Sequence, residues 1–180
     1  MRKLVSYLFI TLDGVVETPD KFWRSDQAED FSEITSLGIA GQDAVLLGRK
    51  QYEDWYAFWL NSKIEPFSTF INNTPKFVTS ATLREVAWKN STLIRDDVLG
   101  EIAKLKNQSG ASIGVHGSIS LAQSLLLAGM LDELRFAQLP VIAGKGRRLT
   151  DHGGSPIQLD LQTSRTMPSG IQFLVYTPRR

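Results

Sequence analysis

Two glycine-containing segments carry the residue types that bind phosphate groups. Gly48-Arg49-Lys50 and Gly117-Ser118-Ile119-Ser120-Leu121 each follow a short apolar run and precede an amphipathic segment. Glycine lets backbone N–H groups approach a ligand closely, a helix start offers unpaired N–H donors, and Arg and Lys supply positive charge. The same residue types are common in plain turns and helix caps. Both segments are therefore candidate anion-binding sites, each with a structural alternative.

Hydroxyl and imidazole side chains at the ends of apolar runs form a second set of candidate binding groups. Thr79 and Ser80 end a third apolar run, where they either cap a turn or donate to the same phosphate. His116 directly precedes the second glycine segment, and His152 is the other histidine of a chain that has no cysteine. Cys-ligated metal centres and thiolate nucleophiles are thus excluded, and an isolated histidine favours a hydrogen-bonded structural residue over a metal ligand. We expect no metal site, so redox chemistry would need a bound cofactor.

Candidate catalytic carboxylates are Asp13, Asp26 and Glu29. Asp13 and Gly14 follow the first apolar run, where they position either a lid over a site or an ordinary turn. Asp26 and Glu29 lie near the start of a predicted helix, where acidic residues also complement the helix dipole. An aromatic group could cover a flat heterocycle, although a core or dimer surface is the commoner role. Its members are Tyr52, Trp55, Tyr56, Phe58 and Trp59.

The apolar pattern of the elements that must position these residues indicates an α/β domain. Short runs rich in Val, Ile, Leu and Phe alternate with amphipathic segments of about ten residues. The first run is almost continuously apolar, which predicts a central strand covered on both faces. Strands are predicted over 3–12, 44–47, 76–79, 92–94, 112–115, 133–139, 157–161 and 171–176, and helices over 26–39, from 48–50 onward, over 98–106 and over 120–128.

Composition limits the classes of partner. The chain has 180 residues, enough for one ordinary domain, and 20 Lys and Arg against 19 Asp and Glu give a formal charge of +1. This balance argues against nucleic acid or an anionic membrane surface as the partner. No stretch approaches the roughly 18 apolar residues of a membrane span, and the first run is too short for a signal peptide, so the expected location is the cytoplasm. The usual P-loop, His-Glu-x-x-His, EF-hand, Gly-x-Ser-x-Gly and Gly-x-Gly-x-x-Gly patterns are absent.

An ordered set of short motifs resembles a known family. The chain is similar to the dihydrofolate-reductase-like proteins related to the C-terminal reductase domain of the bacterial riboflavin biosynthesis enzyme, and the similarity extends through Leu-Pro-Val-Ile-Ala-Gly-Lys-Gly-Arg-Arg-Leu at 139–149. The specificity comes from the order of the set rather than from any single piece. The motifs are Leu-Asp-Gly-Val at 12–15, Leu-Leu-Gly-Arg-Lys-x-Tyr-Glu at 46–53, Lys-Phe-Val-Thr-Ser-x-Thr-Leu at 76–83, Val-His-Gly-Ser at 115–118 and Leu-Asp-Glu-Leu at 131–134.

The resemblance implies a mostly parallel central sheet flanked by helices, an antiparallel C-terminal edge, and NADPH bound across the strand ends. It assigns Gly48, Arg49 and Lys50 to the cofactor phosphates, and Thr79 and Ser80 to the neighbourhood of the adenine ribose phosphate. It places His116 and the segment 117–121 at the pyrophosphate. The positions that flank the nicotinamide are Tyr7, Leu8, Phe9, Asp13, Gly14 and Val15.

The implied activity is NADPH-dependent hydride transfer to a small heterocyclic or carbonyl substrate related to pteridines, pyrimidines or flavins. Reduction of 5-amino-6-(5-phosphoribosylamino)uracil is one candidate, and a cofactor-binding protein without turnover is the alternative. Two departures from the family pattern argue against dihydrofolate and a direct riboflavin role. No acid on the first helix matches closely, and His116 stands where riboflavin-pathway reductases typically carry an acid. The family also implies a homodimer.

Overall fold

The computed structural model of the protein describes residues 1–151 and 155–179. The predicted imidazole His152 and part of the predicted loop 153–156 lie outside the described residues. The strands of the described chain are β1 (Leu4–Thr11), β2 (Gln42–Gly48), β3 (Lys76–Thr79), β4 (Ser91–Ile94), β5 (Ser112–His116), β6 (Glu133–Leu139), β7 (Leu159–Thr166) and β8 (Gln172–Pro178). The helices are α1 (Ala28–Ile39), α2 (Arg49–Trp59), α3 (Phe67–Asn73), α4 (Val98–Asn107) and α5 (Ile119–Leu127).

These strands form one eight-stranded sheet within the described residues, in the order β4-β3-β2-β5-β1-β6-β8-β7. Strands β1 to β6 pair in parallel, whereas β8 runs antiparallel to both β6 and β7. The predicted α/β architecture with an antiparallel C-terminal edge is thereby confirmed. β1 lies between β5 and β6, as its continuous apolar run predicts, and Leu4 and Val5 are completely buried.

Neighbouring residues of a strand point to opposite faces of the sheet, so both faces carry apolar side chains that must be buried. Helices cover both faces. In β2, Leu46 packs in one core cluster together with Ile102 of α4 and Leu125 of α5. Val45 packs on the other face in a cluster that includes Ile71 of α3. The carboxyl ends of β1, β2 and β5 meet at one edge, which is where open α/β sheets bind ligands. No described helix is long and apolar enough to cross a membrane.

One predicted strand and the start of one predicted helix are wrong in extent, and one helix is not predicted. The sequence predicts a strand over 157–161, but β7 begins at Leu159 and continues to Thr166. Its second half is polar and exposed on the edge of the sheet, so it carries no apolar signal. The seven residues of α3 are too few to show a helical period, and the sequence does not predict that helix. α1 begins at Ala28 rather than at 26, after a short 3-10 turn over 25–27.

Gly38 has a different role from the predicted one. The sequence assigns Gly38 and Gly41 together to the end of the first helix, and Gly41 does follow α1 with a φ of 71°. Gly38 instead lies inside α1, where a Cβ atom would come within 2.3 Å of the Tyr7 ring. The missing side chain therefore lets α1 pack directly on β1.

Asp97 caps the start of α4. Its backbone is left-handed, with a φ of 44°, and its carboxylate accepts a hydrogen bond from the Gly100 N–H at 3.2 Å. We expect Asp97→Ala to lower the free energy of unfolding in urea by about 1 kcal/mol, because a helix-start N–H loses its acceptor. Asp96→Ala, which removes the neighbouring carboxylate, is the control and should change stability by less than about 0.5 kcal/mol. Equal losses in the two variants would contradict the assignment.

Candidate functional site

A cleft of about 1020 Å³ opens at the carboxyl ends of β1, β2 and β5. Its volume is at the upper end of the roughly 300–1,000 Å³ typical of small-molecule sites. Many of the residues predicted from sequence line it together, although they come from segments far apart in the chain. They are Tyr7, Leu8, Phe9, Gly48, Arg49, Lys50, His116, Gly117, Ser118, Ile119, Ser120 and Leu121.

The two glycine segments are joined to each other at one end of the cleft. The Gly48 N–H donates to the Ser118 hydroxyl at 2.9 Å, which ties the end of β2 to the start of α5. Gly117 turns the chain with a φ of 60°, a conformation that glycine adopts without strain. The Ile119 N–H, the first of α5, donates to the Gly117 carbonyl at 3.0 Å, whereas the next two amides of α5 have no intrahelical acceptors, as at every helix start. Arg147 also reaches this end and donates to the Ser120 hydroxyl at 3.0 Å. The arrangement presents N–H donors and cations to one volume.

Aromatic side chains line the rest of the cleft in two groups. Phe9 of β1 lies parallel to Phe31 of α1 with ring centroids 6.3 Å apart, and Trp23 packs edge-on against both. The second group lies on α2 and α3, where Trp55 and Phe67 pack edge to face with ring centroids 5.1 Å apart. Each of these five side chains lines the cleft. Aromatic surfaces of this kind suit a flat ring.

The predicted aromatic group is divided between core and cleft. Tyr52 is buried, and its hydroxyl accepts the Trp88 N–H at 3.0 Å, so it belongs to the core. Trp55, Phe58 and Trp59 line the cleft instead, with Phe58 the most exposed of the three. The structure therefore places part of the group in the core and part in the cleft lining.

His116 lies at the floor of the cleft and is almost completely buried. Its Nε2 lies 2.7 Å from the Gln42 Oε1, while the Gln42 Nε2 donates to the Gly38 carbonyl at 2.9 Å. Because the amide nitrogen of Gln42 is engaged, its oxygen must accept, which assigns the proton to Nε2 of His116. Burial, together with the positive charge of Arg135, lowers the pKa of His116 to about 3. The imidazole is therefore neutral at physiological pH.

Tyr7 and Thr35 form the floor beneath the aromatic groups. The Tyr7 hydroxyl donates to the Ile34 carbonyl at 3.3 Å. Burial raises the pKa of Tyr7, and the neighbouring Thr35 opposes this rise only in part. Thr35 is 2% exposed and contributes to the cleft lining, and its hydroxyl lies enclosed beside that of Tyr7.

Asp13 lies outside the cleft lining, and its carboxylate is fully engaged elsewhere. It accepts the Thr11 hydroxyl at 2.6 Å and the N–H groups of Ala143 and Gly144, both at 2.9 Å. These hydrogen bonds, with that from Thr11 the largest, lower the pKa of Asp13 to about 2. The carboxylate thus fastens the loop after β1 to the segment after β6. We call this set of contacts the Asp13 clasp.

The other two candidate carboxylates also lie outside the lining. Asp26 is exposed and paired with Arg24, whose hydrogen bond lowers the pKa of Asp26. Glu29 is exposed on α1. The acidic residues that do line the cleft are Glu17, Asp20 and Asp54, and none of them is buried.

Four predicted cofactor positions do not line the cleft. The Thr79 hydroxyl, at the end of β3, donates to the Leu47 carbonyl of β2 at 3.4 Å. The Ser80 hydroxyl accepts the Leu83 N–H at 2.9 Å in a local turn beyond β3. Gly14 has a φ of 86° in the turn after β1, and Val15 bridges to Arg148. Within residues 1–151 and 155–179, no group of three His, Cys, Asp or Glu could hold a metal ion.

Sequence reasoning missed several residues of the cleft. Trp23, Phe31 and Thr35 come from the segment before and within α1, and Arg147 comes from the loop after β6. Arg147 had a signal, since it belongs to the glycine-punctuated basic loop of the last family motif. Trp23, Phe31 and Thr35 had none, because their side chains reach the cleft through the packing of α1 on β1.

A model of the RibD C-terminal domain matches residues 2–173. The chain belongs to the RibD C-terminal domain family. Among curated proteins, it is similar to the uncharacterized protein YyaP of Bacillus subtilis, with 28% identity over 181 residues that cover 97% of this chain and 94% of YyaP.

Solved structures share the fold at lower identity. A protein described as a riboflavin biosynthesis protein, from Shewanella sp. PV-4, superimposes with a TM-score of 0.74 and 16% identity over 99% of both chains. A pyrimidine reductase-like protein from Corynebacterium diphtheriae superimposes with a TM-score of 0.67 and 11% identity, and the match covers 99% of this chain and 92% of that one. Dihydrofolate reductase from Enterococcus faecalis, complexed with NADP(H), superimposes with a TM-score of 0.65 and 12% identity. This match covers 99% of this chain and 97% of that one. RibD C-terminal domains are thus a reductase-type family with a dihydrofolate-reductase-like fold.

Proposed function

We propose that the protein is an NADPH-dependent reductase that transfers hydride to a small heterocyclic or carbonyl substrate. One observation carries the proposal: the joined glycine segments and the aromatic groups open into the same cleft. The glycine segments suit a diphosphate and the aromatic groups suit flat rings, so a dinucleotide and a ring substrate can lie end to end in the cleft. Membership of a reductase-type family whose members bind NADP(H) supports it.

The chain's own residues fit the cofactor and would act by binding and positioning. The first-turn amides of α5 and the side chain of Arg147 would hold the diphosphate, because both present donors where Gly117 leaves space. Arg49 and Lys50 would bind a ribose phosphate by charge-assisted hydrogen bonds. Bound NADPH would supply the hydride. Phe9 and the other aromatic side chains would orient the rings and exclude water from them.

A second candidate function is cofactor binding without turnover. It is favoured by a specific observation: Asp13, Asp26 and Glu29 all lie outside the cleft lining, and the carboxylates within the lining are not buried. The two functions are separated by incubating the protein with NADPH and a panel of pteridines, pyrimidines, flavins and quinones. A faster fall in nicotinamide absorbance with the protein than without it supports the reductase. Binding of NADPH with no loss for any member of the panel supports the alternative.

The cofactor preference tests the roles of Arg49 and Lys50. We expect the double variant Arg49→Ala/Lys50→Ala to bind NADPH about tenfold or more weakly by calorimetry, since each lost charge-assisted hydrogen bond is worth about 1.5–3 kcal/mol. NADH lacks the extra phosphate and should lose far less.

The matched control for this double variant is Lys104→Ala. The exposed Lys104 pairs with Glu101 on α4, much as the exposed Arg49 pairs with Glu53 on α2. It lies outside the cleft lining and should leave both affinities unchanged. Equal losses of NADPH and NADH affinity in the double variant would contradict the assignment of the pair to the ribose phosphate.

A further inference from the structure

Gln51 links the glycine turn of the cleft to one of its aromatic groups. Its amide has one orientation that gives both polar atoms a partner: the nitrogen donates to the Gly117 carbonyl at 3.0 Å, and the oxygen accepts the Trp55 indole N–H. All three residues line the cleft. Gln51 is thus hydrogen-bonded at one end to the proposed diphosphate site and at the other end to an aromatic side chain.

The start of α2 determines this geometry. Gln51 and Trp55 are four residues apart on α2, so their side chains are neighbours on one face of the helix. Gln51 packs directly on Gly117, where an added Cβ atom would come within 2.7 Å of its side chain. Trp55 packs edge to face against Phe67, and its ring centroid lies 6.3 Å from that of His116. A shift of the Gln51 amide would therefore be passed to the Trp55 ring.

The Gly117 turn is held by short-range hydrogen bonds for which a bound anion would compete. The Ser118 N–H donates to the His116 carbonyl at 2.6 Å, and the Ile119 N–H donates to the Gly117 carbonyl at 3.0 Å. Each bond spans only two residues, and a turn of this kind around a residue with positive φ is the rare, strained form. An anion that takes these N–H groups would release the strain and leave Gln51 as the donor to the Gly117 carbonyl.

We propose that Gln51 is a positioning residue that makes the orientation of Trp55 depend on whether the Gly117 turn holds an anion. The inference rests on the proposed function and adds a form of regulation. Binding of the diphosphate rearranges the turn, Gln51 follows the Gly117 carbonyl, and the Trp55 indole follows Gln51. By linkage, a ligand that contacts Trp55 changes the affinity for the diphosphate by the same factor as the diphosphate changes its own. The affinities at the two ends of the cleft are therefore coupled.

Inorganic pyrophosphate tests the coupling because it carries the anion and has no ring that could pack on Trp55. The indole N–H signals of the four tryptophans are followed in nitrogen–proton correlation NMR spectra, and Trp55→Phe identifies that of Trp55. We expect saturating pyrophosphate to shift the Trp55 signal of the wild type. Trp88 is the internal control. Its indole N–H donates to Asn72 at 2.9 Å outside the cleft lining, so its signal should stay in place.

Two variants of Gln51 separate its two hydrogen bonds. Gln51→Leu removes both, so without ligand the Trp55 indole N–H should exchange with heavy water about fivefold faster, and its signal should no longer respond to pyrophosphate. Gln51→Glu keeps an acceptor for Trp55 but has no proton for the Gly117 carbonyl. It should protect the Trp55 N–H as the wild type does and still lose the response. A direct electrostatic effect of pyrophosphate on Trp55 would instead persist in both variants.

The outcomes separate this inference from the proposed function. Calorimetry with pyrophosphate and with NADPH gives the saturating concentration for each protein, and NADPH replaces pyrophosphate in the spectra if only NADPH binds. A wild-type Trp55 signal that stays in place, or one that shifts equally in Gln51→Leu, overturns the coupling and leaves the proposed function standing.

Equal exchange of the Trp55 N–H in the wild type and in Gln51→Leu overturns the hydrogen-bonded link itself, with or without a ligand. If Gln51→Leu does not fold, Gln51→Ala gives the same comparison. If neither pyrophosphate nor NADPH binds the wild type, the proposed function is contradicted, and the coupling is overturned with it.

Discussion

Gly117→Val is expected to fold and yet to lose most of the stabilisation that NADPH gives the wild type. Gly117 has a φ of 60°, where a β-branched residue is strained by about 1–3 kcal/mol. An added Cβ would also come within 2.7 Å of the Gln51 side chain, which itself lines the cleft. Moving Gln51 would change the space beside the first turn of α5. The proposed diphosphate site is therefore damaged together with the turn.

The measurement is thermal melting with and without NADPH at about 100 times its Kd, where a ligand stabilises the folded state by about 2.7 kcal/mol. For a domain of this size, that corresponds to a shift of roughly 5–10 °C in the wild type. Gly129→Val is the matched control. Gly129 has a φ of 63° beyond the end of α5, and a Cβ atom added there would have no other atom within 4 Å. It should lower the melting temperature by strain and keep the shift. A full NADPH shift in Gly117→Val would place the diphosphate elsewhere.

His116 should make the protein less stable as the pH falls below about 6.5. In the folded state its pKa is lowered to about 3, mainly by burial, whereas the unfolded chain restores the ordinary value of about 6.5. Between these values the unfolded state binds one more proton, so acid favours unfolding. The contribution is fully present above pH 6.5 and decreases by about 1.4 kcal/mol for each pH unit toward pH 3.

His116→Gln isolates this contribution, since the amide keeps an N–H donor but does not titrate. Urea unfolding of both proteins at intervals from pH 7.5 to pH 4.5 gives the difference in slope. We expect the wild type to lose about 2–3 kcal/mol more than the variant over the last two pH units. Carboxylates such as Asp13 titrate in both proteins and cancel in the difference. Parallel pH profiles would mean that His116 is protonated inside the folded protein.

The central part of the fold could be predicted from sequence because burial leaves a direct mark on residue type. β1 is apolar on both faces, and it is one of the two central strands of the described sheet. The edge strand β7 leaves no such mark, since its side chains face solvent and its hydrogen bonds are made by the backbone. Its extent could not be predicted for this reason.

The candidate site could be predicted where local sequence determines local geometry. Gly48 and Gly117 stand at strand ends, and the structure brings both into one cleft. The position of Thr35 could not be predicted, because it depends on how α1 packs over β1, and Gly38 permits that packing. The assignment of the lining residues to a cofactor stays a prediction, and so does the homodimer.

The Asp13 clasp has a consequence for protein engineering. One carboxylate accepts hydrogen bonds from Thr11, Ala143 and Gly144. The loop after β1 and the loop after β6 are therefore held together as one structural unit. A chimera that exchanges one loop for that of a relative would separate the carboxylate from its donors. A chimera that exchanges both would keep them together. Directed evolution of substrate range at this edge should therefore vary the two loops as one library.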